Sequence, residues 1–369
     1  MSERPRFTVL IAARNAEATI ERALSSVRSQ VDEIVLVDDR SADDTVERAR
    51  ATVGPRLRVV ERPHHGPLGA TRQAALDHVT TPFAAWLDAD DEYLPGRVAR
   101  LLDTLAGGAD VVADATTLID GDSGATLQDV PLPVWTSNPG APARLFERNA
   151  LPAIGLVAFR TDVWRALGYD PMLHGAEDVD IVLRAAAGGA SFRWIPESGT
   201  RVHVYDSSLS RCRENQRQMY ARALRKHSYG SVRELYRRGG WDASVTRWAL
   251  ASMAMFRDDP IAALHFLSEL EDVEGLTWRV AFLTGTALLL SGDARAIQLL
   301  DAAEALHHAP ECANNLGVAL SRNGRPDEAL RAFAASLQRF PAYKDARINL
   351  ESAWPSRITT HPLREQYVA

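Results

Sequence analysis

Several things are scarce in this sequence, and each scarcity removes a class of protein. Only two of the 369 residues are cysteine, Cys212 and Cys312, so no disulfide framework is expected and a reducing compartment fits better. Long apolar runs are missing too. The longest, Trp248–Phe256 and Val280–Leu290, both carry interruptions. Neither approaches the roughly 20 residues needed to cross a bilayer. Met1–Arg6 holds charge and a proline but no apolar leader core. The expected location is therefore cytoplasmic, at most peripheral to a membrane. Basic charge is not in excess: the net charge is −6, which disfavours nucleic acid as a partner. What remains is an ordinary globular balance, 46 % hydrophobic and 24 % charged, able to bury a core without staples.

Through about residue 115, short apolar runs alternate with helical patterns. Phe7–Ile11, Glu33–Val37, Leu57–Glu61 and Phe83–Leu87 read as strands. Ala16–Gln30, a helix capped by Ser41, Gly69–His78 and a helix opened by Pro95 lie between and after them. Such alternation predicts an α/β domain with a mostly parallel sheet, whose ligands sit beyond the carboxyl ends of the strands. Residues 116–150 read as an irregular excursion, with a turn cluster at Asp120–Gly124 and four prolines after it. Regular pattern resumes at Gly155–Arg160, with a helix after Asp162, another over Val179–Ala187 and a strand at Phe192–Ile195. From about Trp241 the pattern is wholly helical. The pairs Ala263-Leu264, Ala296-Ile297 and Ala329-Leu330 recur every 33 residues. The expected boundaries are 1–228 for the first domain, 229–240 for a linker, 241–352 for helical repeats and 353–369 for a tail.

Acids collect at the strand ends. Asp38-Asp39 follows Ile34–Val37, Asp88-Ala89-Asp90-Asp91 follows Phe83–Leu87, and Glu177-Asp178-Val179-Asp180 opens a helix. Each alone has an ordinary explanation, as turn residues or as first-turn acids favoured by the helix dipole. Gathered at one sheet edge they repel, and a cation or ligand relieves the repulsion. Oxygen-only donors suit a hard cation, and no Cys/His spacing points to zinc.

In chain order, Asp38-Asp39-Arg40-Ser41-Ala42-Asp43-Asp44-Thr45, Thr71-Arg72-Gln73-Ala74-Ala75-Leu76, Asp88-Ala89-Asp90, Glu177-Asp178 with Val179-Asp180-Ile181-Val182-Leu183-Arg184, and Arg201-Val202-His203 followed by Ser208-Leu209-Ser210 resemble the motif set of family 2 glycosyltransferases of the GT-A fold. The resemblance spans about residues 7–211. It implies inverting transfer from a nucleotide-diphosphate sugar, a UDP-sugar foremost, to a glycan, lipid-linked or peptide acceptor, and the missing membrane span makes one sugar per encounter the expectation. It implies a donor site of Ala12, Asn15, Asp38, Asp39, Arg72, Asp88 and Ala89. Mg²⁺ or Mn²⁺ would lie at Asp90 and Asp88, with His203 as a third ligand. Asp178 would be the general base, and Glu177 would position the acceptor.

The last unit, from Asn315-Leu316-Gly317 through Gly324, Glu328-Ala329-Leu330, Phe333 and Pro341, resembles a tetratricopeptide repeat. Three such units make a short solenoid suited to a protein partner or to self-association. Two other functions stay in view. One is an inactive transferase-like protein that binds peptides through its repeats, against which the intact acids argue. The other is a nucleotidyltransferase, but Ile11-Ala12-Ala13-Arg14-Asn15-Ala16 contains no glycine for a phosphate loop. There is no Q-x-x-R-W motif of processive synthases near Gln216–Arg225.

Overall fold

The structure, a computed structural model, describes residues 6–148, 150–151, 153–205, 213–270 and 277–363. Ser208-Leu209-Ser210 and Cys212 lie outside them. The chain divides into two compact units. The first comprises residues 1–145 and 149–231, and the second Phe146–Arg148 and 232–369.

The first unit is built on one sheet of nine strands. Strands β1 (Phe7–Ala13), β2 (Glu33–Asp38), β3 (Leu57–Glu61) and β4 (Phe83–Trp86) pair in the order β3-β2-β1-β4, all parallel. Their near-continuous apolar runs suit strands covered on both faces. The order continues through β8 (Val157–Arg160), β6 (Val111–Asp120), β9 (Phe192–Val204) and the two-residue β5 (Glu92–Tyr93), while β7 (Thr126–Val130) pairs with β6. β8 runs antiparallel to both neighbours, and β6 and β9 are again parallel. Six of the nine strands thus share one direction, as a mostly parallel sheet requires.

The covering helices follow their sequence periodicity. Helix α1 (Ile20–Val27) buries Ile20, Ala23, Leu24 and Val27 on the sheet, the spacing of one helical stripe. Helices α2 (Thr45–Val53), α3 (Leu68–Leu76), α4 (Arg97–Ala106), α5 (Thr161–Leu167), α6 (Glu177–Ala187) and α7 (Arg213–Arg225) complete the unit. Ser41 does not cap α2. Its Oγ accepts from the Asn15 amide at 2.9 Å, and Asp44 takes the cap position. The expected irregular excursion at 116–150 is partly regular. Residues 116–130 form the β6–β7 hairpin, turning at Asp120–Gly124, and two short 3₁₀ segments follow at Val134–Ser137 and Ala141–Phe146.

The expected linker at 229–240 lies largely in helix α8 (Tyr229–Arg238), and the division between units falls inside it. The second unit stacks helical hairpins. These are α9 (Ala243–Phe256) with α10 (Pro260–Ser268), α11 (Thr277–Leu290) with α12 (Ala296–Leu306), and α13 (Pro310–Arg322) with α14 (Pro326–Arg339), followed by α15 (Lys344–Glu351). Ala263, Ala296 and Ala329 occupy equivalent buried places on the second helix of each hairpin. A Cβ at Gly285 would stand 2.8 Å from Leu300, and one at Gly317 would stand 2.5 Å from the Phe333 ring, so small residues let the paired helices close. Cys312 is a buried free thiol pushed up by burial. Phe146–Arg148 belongs to this unit: Trp248 Nε1 donates to Glu147 at 2.9 Å. The expected tail at 353–369 is stitched to the helices as far as residue 363. No helix among the described residues is long and apolar enough to cross a membrane.

Candidate active site

The parallel strands deliver their carboxyl ends to one edge, and the expected acids stand there. Asp38 ends β2, buried, with Oδ2 accepting from the Ser41 amide at 3.1 Å. Its Oδ1 is buried with no hydrogen-bond partner among the described residues. An unpaired buried carboxylate oxygen is costly unless a ligand donates to it. Asp39 is held by Arg62 Nη1 and His65 Nδ1, each at 2.5 Å, and Arg62 continues to Thr71 Oγ1 at 2.7 Å. Asn15 ties the β1 loop to the β2 loop by accepting from the Ala42 amide at 2.9 Å. It sits in the left-handed region at φ +50°, where asparagine is among the tolerated residues. Ala12 lies beside them in β1, in register with Val37.

The second group follows β4. Asp88, Ala89, Asp90 and Asp91 turn the chain into β5. Burial and the neighbouring Asp88 push the Asp90 carboxyl up to about 6. Burial also raises Asp91 well above the carboxylate range, but its Oδ1 is already engaged, accepting from the His203 amide at 2.8 Å. Asp91 therefore braces β9, and Asp90 carries the less committed carboxylate.

Arg72 on α3 joins this group to the third. It is almost fully buried, with Nε 3.1 Å from Glu177 Oε1 and Nη2 3.4 Å from Asp88 Oδ1, and its guanidinium lies 5.0 Å from the Trp86 ring centroid. These carboxylates hold Arg72 charged against burial. Nη1 has no partner among the described residues. Glu177 is buried, accepts from the Gly175 amide at 3.0 Å, and is pushed up to about 7 by burial, against the pull of Arg72. Asp178, the next residue, is half-exposed, and its charge is close enough to raise Asp88. It borders an apolar hollow with Leu151, Ile154, Val157 and Val182. Gly175 at φ +106° and Ala176 at φ +57° make the reversal that starts α6 at Glu177. Asp180 faces inward instead, paired with Arg184 at 2.8 Å and Lys226 at 2.7 Å.

His203 is buried at the rim of this edge. Burial lowers its imidazole, and Nε2 lies 2.8 Å from Glu92 Oε1. A carboxylate acceptor there puts the proton on Nε2 and leaves a lone pair on Nδ1, which is buried without a partner among the described residues. Arg22, on α1, donates to the Asp90 carbonyl at 2.6 Å and to Tyr205 Oη at 3.1 Å.

Among the described residues, no three His, Cys, Asp or Glu side chains converge into a ready-made metal cage. Asp88, Asp90 and His203 therefore do not form an assembled triad. The donor set still fits a hard cation: Asp90 is desolvated against a like charge, and the Nδ1 lone pair is unspent. A cation there would need further oxygens from a bound ligand.

Residues 8–150 match the model of the family described as Glycosyl transferase family 2. Over that stretch the chain is similar to family 2 glycosyltransferases. The succinoglycan biosynthesis protein ExoU of Rhizobium meliloti (strain 1021) is 33 % identical to it over 220 residues, 55 % of this chain and 63 % of that protein. ExoO of the same strain is 28 % identical over 230 residues, 56 % of this chain and again 63 % of the relative. The chain thus spans somewhat under two thirds of the length of these relatives. A mannosyltransferase structure from Pyrobaculum calidifontis, in complex with GDP-Man and Mn²⁺, aligns with a TM-score of 0.51 at 19 % identity, covering 91 % of this chain and 87 % of that one. That likeness is one of fold. The family match covers the Asp38-Asp39, Arg72 and Asp88–Asp91 segments and ends before Glu177.

Proposed function

We propose that the chain transfers a single sugar from a nucleotide-diphosphate sugar to an acceptor hydroxyl, with inversion, at the edge defined by Asp38, Asp90 and Asp178. The observation that carries this reading is Arg72. Its guanidinium ties the Asp88 segment to Glu177, and so places Asp178 beside the acids after β4.

In this reading Asp38, with its unspent Oδ1, accepts from the base or ribose of the donor. Asn15 and Ser41 fix the loop that carries it, and Ala12 and Ala89 lie along the nucleotide. A bound divalent cation, Mg²⁺ or Mn²⁺, would neutralise charge on the departing diphosphate. Asp90 and Asp88 would hold it together with diphosphate oxygens, and His203 Nδ1 is the next donor available. Asp178 accepts the proton of the acceptor hydroxyl. Glu177 is a positioning residue that keeps Arg72 in place. The Mn²⁺ and GDP-Man of the Pyrobaculum calidifontis structure support such a donor, while the UDP preference, the acceptor and the tetratricopeptide character of the helical unit rest on the sequence. Transfer to a glycan suits the succinoglycan relatives best; lipid-linked and peptide acceptors use the same chemistry.

Asp178→Asn tests the assignment. Turnover should fall by about 10²–10⁴, the usual contribution of a general base. Calorimetric affinity for UDP or GDP with Mn²⁺ should stay the same. Loss of nucleotide binding in a folded Asp178→Asn protein would move Asp178 from the acceptor side to the donor side.

A further inference from the structure

Lysine is almost absent from this chain: Lys226 and Lys344 stand against 40 arginines. Lys226 follows directly on α7, and its Nζ lies between two carboxylates, 2.8 Å from Asp170 Oδ2 and 2.7 Å from Asp180 Oδ1. Asp180 is fully buried and holds Arg184 on its other oxygen at 2.8 Å. An ammonium is a compact point charge that fits between two carboxylates, whereas a guanidinium presents a planar fork. In a chain that uses arginine nearly everywhere else, lysine at this place matches that demand.

The two carboxylates are ten residues apart in sequence and bracket the segment that presents Glu177 and Asp178. Between them the chain reverses at Gly175 and Ala176, both at positive φ. A residue with a Cβ, such as Ala176, keeps that conformation only where its surroundings hold it. The Asp180 amide then donates to the Ala176 carbonyl at 2.9 Å and closes the first turn of α6. Arg184 ties the same carboxylate to the far side of the segment, donating to the Leu167 carbonyl at 2.7 Å and the Gly168 carbonyl at 2.6 Å. Helix α7 meets the reversal at its other end too: a Cβ at Gly175 would stand 3.2 Å from Gln216 Nε2.

We propose that Lys226 is a positioning residue for sugar transfer: its ammonium ties Asp170 to Asp180 and so fixes the first turn of α6, on which Asp178 stands. The inference rests on the assignment of Asp178 as the base in the proposed function. Lys226 lies outside every segment that carries the family 2 resemblance and beyond the residues 8–150 that match the family model, so nothing in that resemblance assigns it. Asp180 keeps a cation in Arg184 with or without Lys226. What Lys226 adds is the reach to Asp170, which holds the start of the segment against its end. A general base works only within hydrogen-bond reach of the proton it takes. A misplacement of about 1 Å can cost about 10²-fold, so a tenfold loss is the expected scale when the bridge opens.

Lys226→Met in the full chain removes the charge and keeps most of the stem. The readout is nucleoside diphosphate release from the UDP- or GDP-sugar that the wild type turns over fastest, with Mn²⁺. The kcat should fall at least tenfold, while the donor KM and the calorimetric affinity for UDP or GDP with Mn²⁺ stay within twofold. In the Asp178→Asn background the same substitution should change kcat less than twofold, because a residue that acts through the base has nothing left to position. Deuterium exchange of amides 177–181 should accelerate severalfold in Lys226→Met. If that variant does not fold, Asp170→Asn opens the same bridge at its half-buried end, leaves Asp180 on Arg184, and should give the same results. An unchanged kcat, or an equal fall in both backgrounds as a merely structural role would give, overturns the positioning role. Unchanged exchange with an impaired Asp178→Asn overturns the brace and leaves the base assignment standing. Normal turnover by Asp178→Asn overturns the base assignment and, with it, the role given to Lys226.

Discussion

Replacing Arg72 by leucine would leave Glu177 and Asp88 on either side of an uncharged chain. Breaking a buried pair by removing one partner typically costs about 3–5 kcal/mol. The loss should depend on pH, with a definite sign. Glu177 already sits at about 7, and without the Arg72 charge, which lowers it, it rises further. A carboxyl whose folded value lies above its unfolded one stabilises the fold at low pH and loses that contribution as pH rises through the folded value. Arg72→Leu should therefore lower the urea midpoint more at pH 8 than at pH 5.5; an equal loss at both would mean that Glu177 does not titrate there. At this scale much of the candidate site was legible. Asp38, Asp39, Asp88, Asp90 and Asp178 show in the sequence because each follows an apolar run or opens a helix. Arg22, Arg62, His65 and Glu92 were not legible. Arg22 looks like the solvent face of an amphipathic helix, and its bonds to the Asp90 carbonyl and Tyr205 exist only once distant segments meet.

At the scale of elements, the seating of α3 decides where Arg72 points. Gly69 is the contact: its amide donates to the Leu173 carbonyl at 3.0 Å, and a Cβ there would stand 2.1 Å from the Asp170 carbonyl. Both neighbours are main-chain atoms, so the helix must move. Gly69→Ala should cost about 1–3 kcal/mol, as overpacking does. It should also lower turnover, since Arg72 is one helical turn further along. Lost stability at unchanged turnover would separate the two. The parallel strands and α1 were legible because their apolar period is uninterrupted. The β6–β7 hairpin was not. Three residues of β7 are exposed, and it lies off the main path of the sheet, so the strand carries little hydrophobic signal. β9 was read only to Ile195 because Pro196, Glu197 and Gly199 interrupt it; the β6–β9 register shifts at that place to accommodate them.

For the whole molecule, every assigned residue of the donor site precedes Ser231, and Phe146–Arg148 is the stretch of the N-terminal half that belongs with the helices. A chain ending after Ser231 should bind UDP or GDP with Mn²⁺ as the full chain does, within about 0.5 kcal/mol, as independent sites allow. It should also be less soluble, because Phe146 loses its packing, and Phe146→Ser should relieve this. A soluble, folded truncation without nucleotide affinity would contradict that independence. The 33-residue recurrence made the helical unit visible in sequence, but not the stretch at 356–363, whose main chain bonds to distant asparagines. The most direct test of the central claim is release of nucleoside diphosphate from a panel of UDP- and GDP-sugars, with Mn²⁺ and with EDTA, by the wild type and by Asp90→Asn. The account predicts release from at least one donor with Mn²⁺, and little with EDTA or from the folded Asp90→Asn protein. Full release in excess EDTA, or from Asp90→Asn, would contradict it.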